Sequence, residues 1–337
     1  MRRARPLIVA NIVAVAVLGG VVGWLDRSIH LKPGSEPMSQ PTAQVPFSVR
    51  LHPYEVQILD SDELPYAYES AAPIVSELPT DASGVRMFMT EGHLVDHPVG
   101  QAQYALALLD GYRLTGDPER LELARRQADR LLNRALPQGD AIYLPYPFDF
   151  RRHNRADDVM RAPWFSAMAQ GQALSVFVRL VEITGDKAYQ DAADRTFASF
   201  LSPGDPPKDD GSIWTVFIDA HGYYWPEEYA ATTPDRTFNG AMFAAYGIYD
   251  YYRLTDSRSA ELLFQATLTT VHHALDGIRV PGGVSYYCLQ HAVQSETYHE
   301  FHVGELHMLH RLTGDQSFAE WRDLLRQDHD LSDTDPS

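Results

Sequence analysis

LLDGYRLTGDPERLELARR, residues 108–126, reads as two helices broken by one tight turn. Gly116 suits the left-handed residue that ends a helix, Asp117 can cap the next one, and Pro118 fits a first-turn position that needs no amide hydrogen. Apolar residues line one side of each helix: Tyr104, Leu106, Leu108, Leu109 and Tyr112 in the first, Leu121, Leu123, Ala124, Leu131 and Leu132 in the second. The pattern recurs as FVRLVEITGDKAYQDAADR (177–195), YDYYRLTDSRSAELLF (249–264) and LHMLHRLTGDQSFAEWRDLL (306–325). The turn threonines Thr115, Thr184, Thr255 and Thr313 are 69, 71 and 58 residues apart. A helical hairpin cannot bury its stripe alone, so consecutive hairpins must stack. The excursions between them, 136–163, 202–238 and 280–298, are rich in Tyr, Trp, His, Arg and Pro, unlike the thin loops of an open solenoid. The expected fold is therefore mainly α: an incomplete (α/α) toroid over 85–327 whose long aromatic and polar loops gather at one end, where binding and chemistry concentrate.

Composition agrees with a globular body. Of 337 residues, 45% are hydrophobic and 22% charged, which excludes wholesale disorder and a multi-pass membrane protein. A net charge of −17 argues against a nucleic-acid partner, which needs a basic face to displace counterions. It does not forbid an acidic polysaccharide, because a basic pocket can sit on an acidic body. Cys288 is the only cysteine, so no intramolecular disulfide and no multi-thiolate zinc site can form.

The flanks read differently. PLIVANIVAVAVLGGVVGWL, residues 6–25, carries no charge and as a helix would span the ~30 Å of a bilayer's hydrocarbon core. Arg2, Arg3 and Arg5 precede it, so residues 1–27 are expected to be a cytoplasmic tip and single-pass lipid anchor, a cleaved signal peptide being the alternative, and in both cases the body lies outside the cytoplasm. Residues 28–46, with Pro33, Pro37, Pro41 and Pro46, read as an unpacked stalk, and 47–84 as a lead-in with a strand or two near 46–60. Asp328, Asp330, Asp333 and Asp335 mark 328–337 as an acidic, solvated tail.

Walker, G-x-G-x-x-G, H-E-x-x-H and G-x-S-x-G signatures are absent. His299, His302, His307 and His310 give no recognised zinc spacing, and neither a metal nor a cofactor is expected. In GYYWPEEYAATTPDRTFNG (222–240), Tyr223, Tyr224 and Trp225 are expected to pack inside the ring, whereas Glu228 and Tyr229 suit catalysis or sugar binding equally with packing. GGVSYYCLQHAVQSETYHEFH (282–302) adds Tyr287, His291, Tyr298 and His302. Tyrosine is a candidate acid or base because its pKa near ~10 suits a demanding proton transfer.

Four runs, HPVGQAQYALALL (97–109), APWFSAMAQGQALSVFVRLVEITGD (162–186), EEYAATTPDRTFNGAMFAAYGIYD (227–250) and YYCLQH with TYHEFHVGELHMLHRLTGD (286–315), together resemble the D-glucuronyl C5-epimerase C-terminal domain, in the same order. The resemblance implies a toroid, a dimer, no redox or nucleotide cofactor, and conversion of D-glucuronate to L-iduronate within a heparan-type polysaccharide. It places the family's site residues on Glu228, Tyr229, Tyr287 and Tyr298. Cys288 and Gln290 stand where the family motif has Asp and an Arg expected to grip the uronate carboxylate. A replacement cation would come from Arg151, Arg152, Arg155 or Arg161; Trp164, Gln170, Gln172, Asn239, Gln290, His291 and His302 complete the expected substrate contacts. Removing a proton from C5 sends negative charge into the adjacent carboxylate, and inversion needs a second acid on the opposite face. Glu228 or Tyr229 would serve one face and Tyr298 or Tyr287 the other. A uronate lyase, a glycoside hydrolase with a carboxylate pair, and a non-catalytic glycan-binding module are the rival readings.

Overall fold

The computed structural model describes residues 28–74, 78–206 and 211–329. Among them, four helical hairpins form across the predicted turns: α1 (Pro98–Thr115) with α2 (Pro118–Arg134), α3 (Ala167–Thr184) with α4 (Lys187–Ala198), α5 (Phe238–Thr255) with α6 (Arg258–Ile278), and α7 (Glu296–Thr313) with α8 (Gln316–Asp328). The turn chemistry is as read. Gly116, Gly185 and Gly314 close their helices at φ 69°, 67° and 69°, and Asp117, Asp186 and Asp315 accept amide hydrogens of the next helix. Each turn threonine donates its hydroxyl to the carbonyl four residues back, as Thr115 does to Gly111 at 2.6 Å, which ties the last helical turn. The third copy lacks glycine, and Asp256 takes the left-handed position at φ 53°.

Helix α1 packs on α3, α3 on α5 and α5 on α7, so the odd-numbered helices form the inner wall and run in one direction. Among the described residues no comparable packing joins α7 to α1, which leaves the ring incomplete. The inner helices are buried nearly all round: every residue from Ala167 to Leu180 of α3 is buried, whereas outer α2 buries only Ala124, Gln127, Ala128 and Leu131. The α3–α5 crossing is made by missing side chains. A Cβ on Gly247 would lie 2.1 Å from the Gly171 carbonyl oxygen, and one on Gly171 would lie 2.5 Å from the Ala244 Cα.

Among the described residues there are four antiparallel two-stranded ribbons: β1 (Phe88–Thr90) with β2 (His93–Val95) ahead of α1, and, in the excursions, β3 (Leu136–Gln138) with β4 (Ala141–Tyr143), β5 (Phe150–Arg151) with β6 (Val159–Met160), and β7 (Val216–Ile218) with β8 (Tyr224–Pro226). Tyr223, Tyr224 and Trp225 are core, as expected, with the Tyr224 hydroxyl donating to the Phe200 carbonyl at 2.7 Å.

The flanks correct the reading. The apolar run at 6–25 lies outside the described residues, among which no helix is long and apolar enough to cross a membrane. Residues 28–46 are not a free stalk. Ile29 donates its amide to Leu289, Tyr223 donates its hydroxyl to Glu36, and Val45 is buried. The 46–60 segment forms no named strand; its backbone bonds to side chains of the body instead, His52 to Thr269, Leu59 to Tyr249, and Tyr54 to Gln265. Asp328 belongs to α8, where it holds Arg279 at 2.6 Å and so is not part of a free tail; residues 330–337 of the expected acidic tail lie outside the described residues.

The four α7 histidines do not gather at one point: two share a serine and two point elsewhere. His299 and His302 both reach Ser285, His307 lies beside Arg322 and His310 beside the Asp315 carbonyl. His302 is fully buried, and burial pushes its pKa down to about 3.

Two outcomes follow from this packing. Gly247→Ala forces α3 and α5 apart and costs about 1–3 kcal/mol in urea unfolding, whereas Gly304→Ala, whose new methyl meets nothing within 4 Å, is neutral or gains about 0.5–1 kcal/mol of helix propensity; equal effects would contradict the packing. The unfolded chain protonates His302 near 6.5 and the folded chain only near 3, so this residue's contribution is present above pH 6.5 and lost as pH falls. His302→Asn, which can keep a bond to Ser285, flattens the fall of stability across that window in pH-dependent melts. An unchanged slope would refute the buried neutral imidazole.

Candidate active site

The N-terminal ends of inner helices α1, α3 and α7 meet the excursions at one cleft, a space of ≈ 890 Å³ including its open mouth, with the α5 N-terminus behind Glu228. His97 caps α1, Ser166 caps α3, Thr237 precedes α5, and Tyr298 stands in the first turn of α7. Helix N-termini carry unpaired amide hydrogens and the positive end of the helix dipole, so this end of the toroid favours negative charge.

Glu228, Tyr229, Tyr287 and Tyr298 all line the cleft. Tyr287 donates its hydroxyl to Glu228 Oε2 at 2.7 Å, and the Tyr229 and Tyr287 hydroxyls lie 3.2 Å apart. Tyr298 packs its ring at a tilt against Tyr287, with centroids 4.2 Å apart. Glu228 follows β8 and lies against the first turn of α5, where Gly240 makes room: a Cβ there would sit 2.7 Å from Glu228 Oε2. Burial raises the Glu228 pKa above the ordinary 4.5, an effect held back by hydrogen bonds from Tyr287 and Thr237. Burial, then the Glu228 charge, raise Tyr229 and Tyr298 well above the usual tyrosine value, so both hold their protons at neutral pH. Neighbouring Glu227 points away from the cleft into the protein. It accepts the amides of Tyr229 and Arg236, and burial followed by the Asp235 charge lifts its pKa to about 8.

The walls are aromatic. Trp164 stacks on Tyr146 at 3.7 Å and Phe150 on Tyr229 at 5.6 Å, giving flat surfaces suited to the faces of a sugar ring. The excursion from β3 to β6 supplies most of this wall, with Tyr146, Phe148, Phe150 and Arg151.

The four expected arginines separate cleanly. Arg151 lines the cleft and has no ion-pair partner among the described residues. Arg152 is buried behind it, held by Asp158 at 2.6 Å and the Thr233 carbonyl. Arg155 pairs with Asp157, and Arg161 pairs with Asp149 on the surface. Of the remaining expected contacts only Trp164 lines the cleft. Gln170 is fully used by Leu144, Ile142 and Ser199; Gln172 and Asn239 are buried within the inner helices; Gln290 lies by Ser28; His291 bonds Asp235; and His302 bonds Ser285. These six are corrections: burial in helices or bonds to other loops hold them outside the lining of the cleft.

Sequence reasoning missed His97 and His153, which both line the cleft. His97 Nδ1 accepts the Gly100 amide, so the neutral ring carries its proton on Nε2. Burial, then Arg86, lower its pKa to about 4, which keeps it neutral. The His97-Pro98 pair is a legible helix start, since a capping residue precedes proline at the first helical position. His153 sits inside the arginine-rich run and carries no pattern of its own.

Comparisons with known proteins bear on the family and the fold. The family described as D-glucuronyl C5-epimerase C-terminus matches residues 138–326. A D-glucuronyl C5-epimerase of Caenorhabditis elegans is 31% identical over 96 residues, 28% of this chain and 14% of that protein, so the chain matches only a small part of that relative's length. A sugar epimerase from a ruminal bacterium superposes with a TM-score of 0.50 at 15% identity, covering 75% of this chain and 65% of its own; this likeness shows the fold alone. The GH76 α-mannanase BT2949 of Bacteroides thetaiotaomicron gives a TM-score of 0.48 at 14% identity over 71% of this chain and 58% of its own. The family match spans more than half of the chain and includes Glu228, Tyr229, Tyr287 and Tyr298: this protein belongs to the D-glucuronyl C5-epimerase family, a family of carbohydrate isomerases, through that family's C-terminal module.

Proposed function

We propose that the cleft epimerises D-glucuronate to L-iduronate in a heparosan-like polysaccharide, by removing the C5 proton and returning one to the opposite face. The observation that carries this reading is the convergence of one buried carboxylate and three phenols in a single aromatic cleft, with Tyr287 bonded to Glu228 at 2.7 Å. Glu228 is the group able to accept a proton first, because Tyr229 and Tyr298 are held protonated. A phenol across the ring then delivers the proton that inverts the carbon. Charge that develops on the uronate carboxylate faces Arg151, the Nε2–H of neutral His97 and the N-terminal ends of the inner helices, a polar environment set before the substrate arrives. Arg151 thus takes the carboxylate-binding role, since Gln290 accepts from Ser28 and does not line the cleft.

The direct assay is incubation with unsulfated heparosan, read by proton NMR for L-iduronate and by ultraviolet absorbance for an unsaturated lyase product. Inversion without absorbance is expected; absorbance with chain cleavage would make the protein a lyase, and glycan retention with neither product would make it a binding module. Glu228→Gln and Tyr298→Phe should each lower turnover by about 10²–10⁴-fold in folded protein, and near-normal turnover in either would remove that residue from the mechanism. Arg151→Ala should raise KM about 10–100-fold, the loss of a charge-assisted contact. Since a protonated Glu228 cannot act as base, kcat/KM should fall on the acid side at an apparent pKa above 4.5, and a limb at or below that value would contradict the buried carboxylate.

A further inference from the structure

We propose that His153, Asp235, Cys288 and His291 bind a zinc ion in the wall behind the cleft. Their potential ligand atoms all lie within 4.8 Å of one another. His153 Nε2 is 2.7 Å from Asp235 Oδ2 and 3.7 Å from Cys288 Sγ, and His291 Nδ1 is 2.7 Å from Asp235 Oδ1. Zinc bonds of ~2.0–2.3 Å in a tetrahedron put ligand atoms roughly 3.3–3.8 Å apart. An entering ion would therefore open the shortest contacts by about half an ångström and draw in the longest by about one. Two imidazoles, a thiolate and a carboxylate suit zinc and not the hard, all-oxygen preference of calcium or magnesium.

Three further features belong to a metal site more than to a chance cluster. The four groups come from three separate loops, one at Arg152–Asn154, one before α5 and one after α6, and all are enclosed: Asp235 and Cys288 are 0% exposed and the two imidazoles 7% and 12%. His291 turns its other nitrogen toward Asp158 Oδ2 at 3.3 Å, and Asp158 is itself held by Arg152. A carboxylate behind a ligand histidine fixes which nitrogen faces the metal. The backbone around the cluster is also strained, with His153, Asn154, Arg236 and Ala292 at φ 51°, 59°, 55° and 49°, a left-handed region that non-glycine residues enter rarely.

All four positions of the ion would be filled by protein, so its work is structural. Zinc binding would release the Cys288 thiol proton to solvent and form the S–Zn bond. Tyr287 adjoins Cys288 in the chain, and the His153 ring packs edge-on against Tyr287 and Tyr229 at 5.7 and 6.4 Å. The ion would thereby lock the loops that present these tyrosines. The alternative is a metal-free network in which Asp235 simply accepts from both imidazoles and Cys288 is a bystander. The two differ in whether sulfur becomes a ligand.

The test uses the full chain, stripped by chelator and titrated with Co²⁺ and then Zn²⁺. One equivalent of Co²⁺ should bind, with the intense visible bands of a tetrahedral ion and a near-ultraviolet sulfur-to-cobalt charge-transfer band, and Zn²⁺ should displace it. Cys288→Ser should lose the near-ultraviolet band and weaken binding at least tenfold, and His291→Gln should weaken it likewise, with circular dichroism confirming that each variant is folded. If a variant does not fold, the wild-type band decides. Failure of the wild-type chain to take up stoichiometric metal, or a charge-transfer band that survives in Cys288→Ser, would overturn the site. Neither result bears on the assignment of the cleft, which is tested by turnover.

Discussion

The site depends on how one carboxylate is held. Glu228 sits buried against the first turn of α5, receives a phenolic hydrogen bond from Tyr287, and has room there only because residue 240 is glycine. Burial alone would neutralise such a group, since removing a carboxylate from water is costly. Hydrogen bonds from Tyr287, Thr237 and Tyr229 oppose that cost in part, leaving a base stronger than an exposed glutamate. The toroid supplies the rest by geometry: because each hairpin returns the chain to the same end, α1, α3 and α7 bring their N-termini to one cleft and Glu228 rests against that of α5.

That geometry also explains the division of labour along the chain. Inner helices α3 and α5 are almost wholly buried and pack through glycines, so they can vary little and carry no exposed chemistry. The excursions that precede α3, α5 and α7 carry the aromatic walls, the carboxylate and the phenols. The acidic net charge of the body is no obstacle to an anionic substrate when the local field is set by Arg151 and by helix ends.

Much of the fold was legible in the sequence because its signals are local. A Thr-Gly-Asp turn, a capping aspartate and an apolar stripe each act within a few residues, and three of the four hairpins follow from them; the other turns through Thr255 and Asp256 with Ser257 as cap. The site was legible in part. Glu228, Tyr229, Tyr287, Tyr298 and Trp164 share the cleft, but Gln170 and His302 look equally polar in sequence and are absorbed by Ile142 and Ser285. Which of four neighbouring arginines faces the cleft was beyond sequence, because Asp158, Asp157 and Asp149 claim three of them through bonds fixed only by the folded loops. Residues 28–46 misled for the same reason: proline and serine suggest a linker, whereas Tyr223 and Leu289, far along the chain, give that segment its partners.

Two proton carriers acting on one carbon leave a signature that neither a lyase nor a binding module can produce. The measurement that reads it is deuterium at uronate C5, followed by NMR in heavy water, for the wild-type chain and for Tyr298→Phe. The account predicts that the wild-type chain gives deuterated L-iduronate, while the variant, with one face disabled, still exchanges C5 of D-glucuronate and gives almost none of the inverted sugar. Unlabelled C5 in the wild-type product, or exchange and inversion lost in equal measure in the variant, would contradict it.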